Sequence, residues 1–255
     1  MLEVTDSVTM AWPSKTIGNL YSSLYSKHQT NSFHVSSVTD LVKSSLRAKV
    51  YLFRLKKLGW VYQFEPAGPG YYRLQKPESC FLISSGELRN ISTLHDPAYS
   101  GLIASYVSEA RRFEGIESLV LFGSVARGEA KTTSDIDLLG VFNEKKNIDV
   151  ALGKTAQSEL RGELSRELDY LEIFEIHTGI SILPMTRKQF LSHPFVLLDV
   201  FADGVPFIDK GLFERESDKV KAQLKKIRAR RTYLSRHDWY WDLNPTSRRK
   251  VEISI

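Results

Sequence analysis

Two short stretches in the middle of the chain carry side chains that could bind a metal ion and a phosphate group. Gly123-Ser124 comes first, and Asp135 and Asp137 follow after residues 125–134. Carboxylates two positions apart on a strand point to the same face of a sheet, and paired carboxylate oxygens suit Mg²⁺. Gly123 allows a phosphate close to the backbone, and Ser124 adds a hydroxyl and N–H groups. We therefore expect a site for a metal-bound phosphate compound.

The elements that position these residues are predicted from hydrophobic patterns. Residues 117–122 and 136–142 are typical of buried strands. A third strand is expected at 180–183, ended by Pro184. Helices are expected on both sides of this sheet, at 99–113, 151–174 and 190–201.

The whole segment follows the pattern Gly-Ser-x-Ala-Arg-Gly-x5-Ser-Asp-Ile-Asp-Leu, from Gly123 to Leu138. It resembles the minimal nucleotidyltransferase branch of the polymerase-β superfamily. The resemblance implies an enzyme that moves a nucleoside monophosphate from an NTP to a hydroxyl acceptor. Asp135 and Asp137 would be catalytic and would hold Mg²⁺ or Mn²⁺. The implied nucleotide contacts are Gly123, Ser124, Arg127 and Ser134.

This family usually adds a third carboxylate from a later strand. On the strand at 180–183 the inward position falls on Ser181. Asp169, Glu172 and Glu175 are close in sequence, but their spacing suits a solvated helix face. We therefore favour a missing third acid, which would slow deprotonation of the acceptor without abolishing metal and nucleotide binding. The alternative function is a DNA-binding transcriptional regulator whose core binds nucleotide with little or no catalysis.

The first 78 residues predict three helices followed by a hairpin. Ser14 is a cap for the first helix, the second covers 35–42, and the third, near 44–58, has Leu46, Val50 and Phe53 on one apolar stripe. Residues 60–74 suggest two strands around a Gly/Pro turn. This order resembles a winged helix-turn-helix domain, which serves either nucleic-acid binding or protein docking. We favour DNA, with contacts from Lys43, Arg47, Tyr51, Arg54, Lys57 and, on the wing, Arg73.

Charge divides the chain into three parts. Basic residues outnumber acids by ten to five in residues 1–78 and by thirteen to six in 210–255, whereas acids dominate 79–209 by nineteen to twelve. Basic ends suggest polyanion contacts and an acidic middle suggests metal attraction. The last part predicts a basic helix whose Val220, Leu224, Ile227 and Leu234 stripe packs on the body or on a second copy in a homodimer. Its cluster of Lys225, Lys226, Arg228, Arg230 and Arg231 is an alternative site for a nucleic-acid backbone.

The predicted organisation is an α+β chain. A winged helix-turn-helix domain covers 1–78, a linker 79–97, a nucleotidyltransferase domain with a mixed sheet 98–210, and a basic C-terminal helix and tail 211–255. No apolar run approaches the ~20 residues of a membrane helix, and Cys80 is the one cysteine, so no intrachain disulfide forms. We expect a cytoplasmic protein without a membrane partner. The six histidines show no zinc-ligand spacing.

Overall fold

The computed structural model describes residues 12–234 and 239–243. The N-terminal domain of this structure has three helices and a small antiparallel sheet of strand order β1-β3-β2. These elements follow the predicted order, and their identification as a winged helix stays a prediction. They are α1 (Lys15–His28), β1 (Phe33–His34), α2 (Val35–Val42), α3 (Ser45–Lys57), β2 (Val61–Gln63) and β3 (Tyr71–Leu74).

Helix α3 faces the domain core with a different stripe from the one the sequence suggested. Its buried residues are Ala48, Leu52 and Leu55, which pack in one cluster with α1 and with Trp60. The predicted apolar stripe of Leu46, Val50 and Phe53 is exposed instead. Ala48, Leu52 and Leu55 are spaced by four and then three residues, so they form a second stripe on the opposite side of the helix.

The predicted linker at 79–97 is wrong as a description of local structure. Helix α4 (Pro77–Ser85) occupies its first part, and two 3₁₀ turns follow at Ile91–Thr93 and Pro97–Tyr99. Leu82, Leu88, Ile91 and Leu94 are buried in the same cluster as the core strands. The turn-forming residues that suggested a linker therefore separate short packed elements. Cys80 is buried as expected, and burial raises the pKa of its thiol to about 12.

The core is built on a four-stranded mixed sheet of order β6-β5-β4-β7, in which β5 and β6 are parallel and the other pairs antiparallel. This confirms the predicted α+β core with a mixed sheet and flanking helices. The strands are β4 (Ile116–Phe122), β5 (Ile136–Phe142), β6 (Ile180–Thr186) and β7 (Val205–Asp209). The helices are α5 (Ser100–Ala110), α6 (Gly123–Arg127), α7 (Lys145–Arg161), α8 (Glu163–Glu172), α9 (Arg187–Leu191), α10 (Leu197–Asp203) and α11 (Leu212–Lys226).

Three predicted boundaries in this core differ from the structure. The helix expected at 151–174 is split into α7 and α8 by Gly162, whose backbone is extended at φ −111° and ψ −153°. Strand β6 continues through Pro184, because β6 lies at the edge of the sheet and tolerates a residue without an N–H donor. The helix expected at 190–201 is two helices, α9 and α10, with Pro194 between them.

The C-terminal helix is shorter than predicted. Helix α11 ends at Lys226, and the chain then forms a two-stranded hairpin of β8 (Arg230–Tyr233) and β9 (Trp239–Asp242). Val220 and Leu224 are buried on the predicted stripe, whereas Leu234 lies beyond the helix and is exposed. The basic tail predicted beyond residue 243 lies outside the described residues. Within those residues, no helix combines the length and apolar character needed to cross a bilayer.

Candidate active site

The site begins at the turn between β4 and α6. Gly123 has φ +75°, and a Cβ added there would lie 2.4 Å from Oδ2 of Asp137. Phe122, the residue before it, pairs with Asp137 across the antiparallel β4–β5 ladder. A side chain at position 123 is therefore excluded both by backbone conformation and by space. Gly123 therefore allows the backbone at 123–124 to lie against the Asp137 carboxylate. The next residue, Ser124, is half-buried.

The two carboxylates occupy the start of β5. Asp135 is exposed just before the strand, and its Oδ1 accepts a hydrogen bond of 3.0 Å from the backbone N–H of Gly179. Asp137 is half-buried. Burial, and then the negative charge of Asp135, raise the pKa of the Asp137 carboxyl above its ordinary value, against opposing effects of Ser181 and Arg127. The charge of Asp135 disfavours the ionised form of Asp137, and a divalent cation bound by both carboxylates would remove that effect.

The position of the expected third acid is taken by Ser181. This residue lies directly opposite Asp137 in the parallel β5–β6 ladder, and its hydroxyl donates a hydrogen bond to that carboxylate. In the described part of the chain no three His, Cys, Asp or Glu side chains come together as a metal site. The strand positions of the candidate site therefore supply two carboxylates and one hydroxyl. A serine hydroxyl does not act as a base by itself at neutral pH.

Of the three neighbouring acids considered from the sequence, only Glu172 lines a cavity with Asp135. This cavity has a volume of about 380 Å³ and is also lined by His177, Thr178 and Gly179. Glu172 is exposed on α8, 3.9 Å from Nδ1 of His177. Its contact with that histidine gives the cavity a polar wall next to Asp135.

Arg127 lies at the end of α6 among partners that the sequence did not reveal. Its Nε donates to Glu129 at 2.9 Å, and its Nη1 is 4.0 Å from a carboxylate oxygen of Asp203 on α10. The ring of Trp239, from the C-terminal hairpin, lies over its guanidinium with 4.5 Å between Cζ and the ring centroid. Arg127 also acts electrostatically on Asp137. Glu129 lies within the motif, two residues after Arg127, but no sequence pattern connects α10 or the hairpin to Arg127.

Ser134 shapes the turn that delivers the carboxylates. Its Oγ accepts a 2.8 Å hydrogen bond from the N–H of Lys131, and its carbonyl accepts one of 2.7 Å from Thr178. Lys131 itself is exposed. The predicted nucleotide contact of Ser134 remains a prediction, and the structure gives this side chain a local structural partner.

The predicted nucleic-acid residues fall into three groups. Tyr51 is half-buried against the domain core. Arg73 is wrongly assigned, because it is buried and its Nη2 lies 3.0 Å from Glu167 Oε2 on α8, so it is closed to nucleic acid. Four are exposed on or beside α3: Lys43, Arg47, Arg54 and Lys57.

The C-terminal basic cluster is not one helical surface. Lys225 and Lys226 end α11, and Arg228 and Arg230 are exposed beyond it. Arg231 is ion-paired with Asp199 at 2.8 Å and Asp203 at 2.7 Å. Its charge is therefore neutralised within the fold rather than presented to a polyanion.

Comparison with known proteins agrees with the geometry of the core. Residues 103–193 match the family described as a nucleotidyltransferase domain. The chain is also similar to the putative protein adenylyltransferase of Methanocaldococcus jannaschii, with 42% identity over 64 residues. That alignment covers 25% of this chain and 66% of the relative, just under two thirds of its length. These matches confirm the resemblance to a nucleotidyltransferase domain and support nucleotidyl transfer, and the family match begins beyond the N-terminal domain.

Proposed function

We propose that the chain transfers a nucleoside monophosphate from an NTP to a hydroxyl group, with Asp135 and Asp137 as its catalytic carboxylates. The observation that carries the proposal is the contact between Gly123 and Asp137, because a Cβ at position 123 would lie 2.4 Å from the carboxylate. This contact supports the proposal, because the Gly-Ser backbone lies beside the Asp137 carboxylate on β5. The family match and the archaeal relative support the same reaction.

In this reaction the acceptor oxygen attacks the α-phosphorus, the bond to the bridging oxygen breaks, and pyrophosphate leaves. Asp135 and Asp137 would hold Mg²⁺ or Mn²⁺. A bound divalent cation would neutralise part of the negative charge of the phosphates. Gly123 and Ser124 orient the phosphates through backbone N–H groups and a hydroxyl. Arg127 adds positive charge near Asp137, tempered by Glu129 and Asp203.

The proposed donor is ATP and the proposed acceptor is a hydroxyl side chain on a protein. Both are taken from the similarity to the putative protein adenylyltransferase of Methanocaldococcus jannaschii. The open cavity beside Asp135 is compatible with an acceptor presented from outside, since Asp135 and Glu172 are exposed at its wall.

The test uses ATP labelled at the α-phosphate, with Mg²⁺ and proteins from the source cell as acceptors. Label should transfer from α-labelled but not γ-labelled ATP, which separates nucleotidyl from phosphoryl transfer. Asp135→Asn/Asp137→Asn should lose at least about a hundredfold of the rate. Asp149→Asn, at an exposed acid on α7, is the matched control and should keep it. Equal labelling by the site variant and the control would refute the proposal.

A second candidate function is nucleotide binding with little catalysis, and the observation that favours it is Ser181 opposite Asp137. Without a carboxylate there, the strand position that usually supplies the base offers only a hydroxyl, so transfer is slow. Ser181→Asp should then raise the rate constant of transfer while leaving ATP affinity within a few-fold. A rate unchanged by this substitution, together with ATP binding, would favour a nucleotide sensor.

A further inference from the structure

The outward face of α3 carries an apolar stripe that nothing in the described chain covers. Leu46, Val50 and Phe53 are 73%, 41% and 67% exposed. Their spacing of four and then three residues puts them in line along one side of the helix. We call these three residues the α3 stripe. Large apolar side chains exposed together on one face mark a surface that another molecule covers.

Cations border this stripe on both sides. At 100° per residue, Arg47 and Arg54 lie on one flank and Lys49 and Lys56 on the other. All four are exposed, and Lys57 continues the stripe at its end. The helix sequence from Ser45 to Lys57 contains no acid. An apolar centre with a charged rim is the anatomy of a protein–protein interface, and this rim calls for a negatively charged partner.

The neighbouring hairpin adds no free cation to this surface. Between Val61 and Leu74 the one basic residue is Arg73, which is buried against Glu167. The hairpin also contains Glu65, an acid. A wing that grips a nucleic-acid backbone needs exposed cations for the phosphates. Leucine, valine and phenylalanine, moreover, cannot hydrogen-bond to base edges, which present donors and acceptors in the major groove.

From these observations we propose that the α3 face docks an acidic amphipathic helix of another protein. The partner's apolar side chains, spaced by three or four residues, cover Leu46, Val50 and Phe53, as in other helix-in-groove complexes. Its Asp and Glu side chains flank that stripe and face the cations of α3. The charge of the rim sets partner choice and association rate, and the apolar stripe supplies most of the affinity. This docking does not depend on the proposed nucleotidyl transfer.

The test selects ligands for the full-length protein from displayed random peptides of about four helical turns. Selection against wild type is paired with counter-selection on Leu46→Ser/Phe53→Ser. Both residues are exposed, so this variant should keep its circular dichroism and unfolding midpoint. The control variant is Leu160→Ser on α7, at another exposed leucine. Enriched peptides should combine acids with apolar residues at helical spacing.

Fluorescence anisotropy then measures the best peptide against each variant. We expect Leu46→Ser/Phe53→Ser to weaken binding at least about tenfold, Arg47→Glu/Arg54→Glu to weaken it with a reduced salt dependence, and Leu160→Ser to leave it unchanged. A selection that enriches no peptide over the counter-selected variant would overturn the proposal. So would binding of mixed duplex DNA that depends on Arg47 and Arg54 but is unaffected by Leu46→Ser/Phe53→Ser, which would assign the face to nucleic acid.

Discussion

Two arginines, Arg73 and Arg231, join peripheral parts of the chain to the nucleotidyltransferase-like core, with similar contacts but different exposure. Arg73, from β3, pairs with Glu167 on α8 and stacks on Tyr170 with 4.0 Å between its Cζ and the ring centroid. Arg231, from β8, pairs with Asp199 and Asp203 on α10 and lies 5.3 Å from the Trp239 centroid. Their side chains are 1% and 13% exposed.

The two arginines show how exposure to water changes the stability that is lost when an arginine–carboxylate pair is broken. The Arg73 pair is sealed, because its Nε also donates to the Thr30 carbonyl at 2.7 Å and Glu167 is itself buried. Breaking such a pair strands a charge in low dielectric. At Arg231, Asp199 is 41% exposed, so water can replace lost contacts. The first arginine holds the N-terminal domain in place, whereas the second holds the hairpin that lies over Arg127.

The largest expected effect is on the buried arginine. Arg73→Met should lower the free energy of unfolding by about 3–5 kcal/mol. It leaves the buried Glu167 carboxylate with only the 4.0 Å contact to Lys76 Nζ as an ion pair among the described residues. Urea unfolding followed by circular dichroism measures this loss. Arg47→Met, at an exposed cation of α3, is the control and should stay within about 0.5 kcal/mol of wild type. A loss below about 1 kcal/mol for Arg73→Met would show that water reaches this pair.

A double variant tests whether the charge or the packing matters at Arg73. Arg73→Met/Glu167→Leu removes both charges and should recover most of the stability lost by Arg73→Met. The same urea experiment measures the recovery. No recovery would mean that stacking on Tyr170 and the hydrogen bond to Thr30, rather than charge pairing, account for the stabilisation by Arg73.

A smaller effect is expected at the hairpin. Arg231→Met should cost about 1–2 kcal/mol, since two charge-assisted contacts are lost at a partly solvated site. Amide hydrogen exchange should accelerate in β8 and β9 before the core sheet is affected. Arg230→Met on the same strand is the control, because Arg230 is mostly exposed and 3.8 Å from Asp242. Equal losses for the two variants would contradict the special role of Arg231.

The smallest effect is expected beside the Arg73–Glu167 pair, at a partly exposed position where Lys76 hydrogen-bonds to Glu163. This bond lowers the pKa of the Glu163 carboxyl. The folded-state pKa is below the unfolded value, so the stabilisation is present above the unfolded pKa, near 4.3, and is lost as pH falls through the folded pKa. Glu163 is about half exposed, so Glu163→Gln should remove no more than about 1 kcal/mol at pH 7. Urea unfolding of both proteins should converge in acid, and a gap that persists there would point to packing instead.

The sequence predicted the active-site geometry better than the surfaces of the molecule. Gly123, Asp135 and Asp137 are constrained by local rules, because a turn that needs positive φ and a strand with period two act over a few residues. Ser181 was also placed correctly, since strand pairing fixed which side chain faces Asp137. On α3 the predicted apolar stripe is exposed, because tertiary packing buries Ala48, Leu52 and Leu55 instead.

Long-range partners explain the remaining errors. Arg73 has the sequence context of an exposed wing residue, and its burial depends on Glu167, ninety-four positions away. The contact of Trp239 with Arg127 likewise depends on how the C-terminal hairpin folds back. The linker at 79–97 was misjudged because short helices between turn residues lack the length that makes a periodic pattern visible. Neither secondary-structure propensity nor residue spacing predicts contacts between residues that are far apart in the sequence.

The Arg73–Glu167 pair also links the N-terminal domain to the candidate site through helix α8. On α8, Glu167 is paired with Arg73 of the N-terminal domain. The chain then runs from α8 to Gly179, whose N–H holds the Asp135 carboxylate. One ion pair, part of helix α8 and the seven residues 173–179 therefore connect the N-terminal domain to Asp135 of the candidate site.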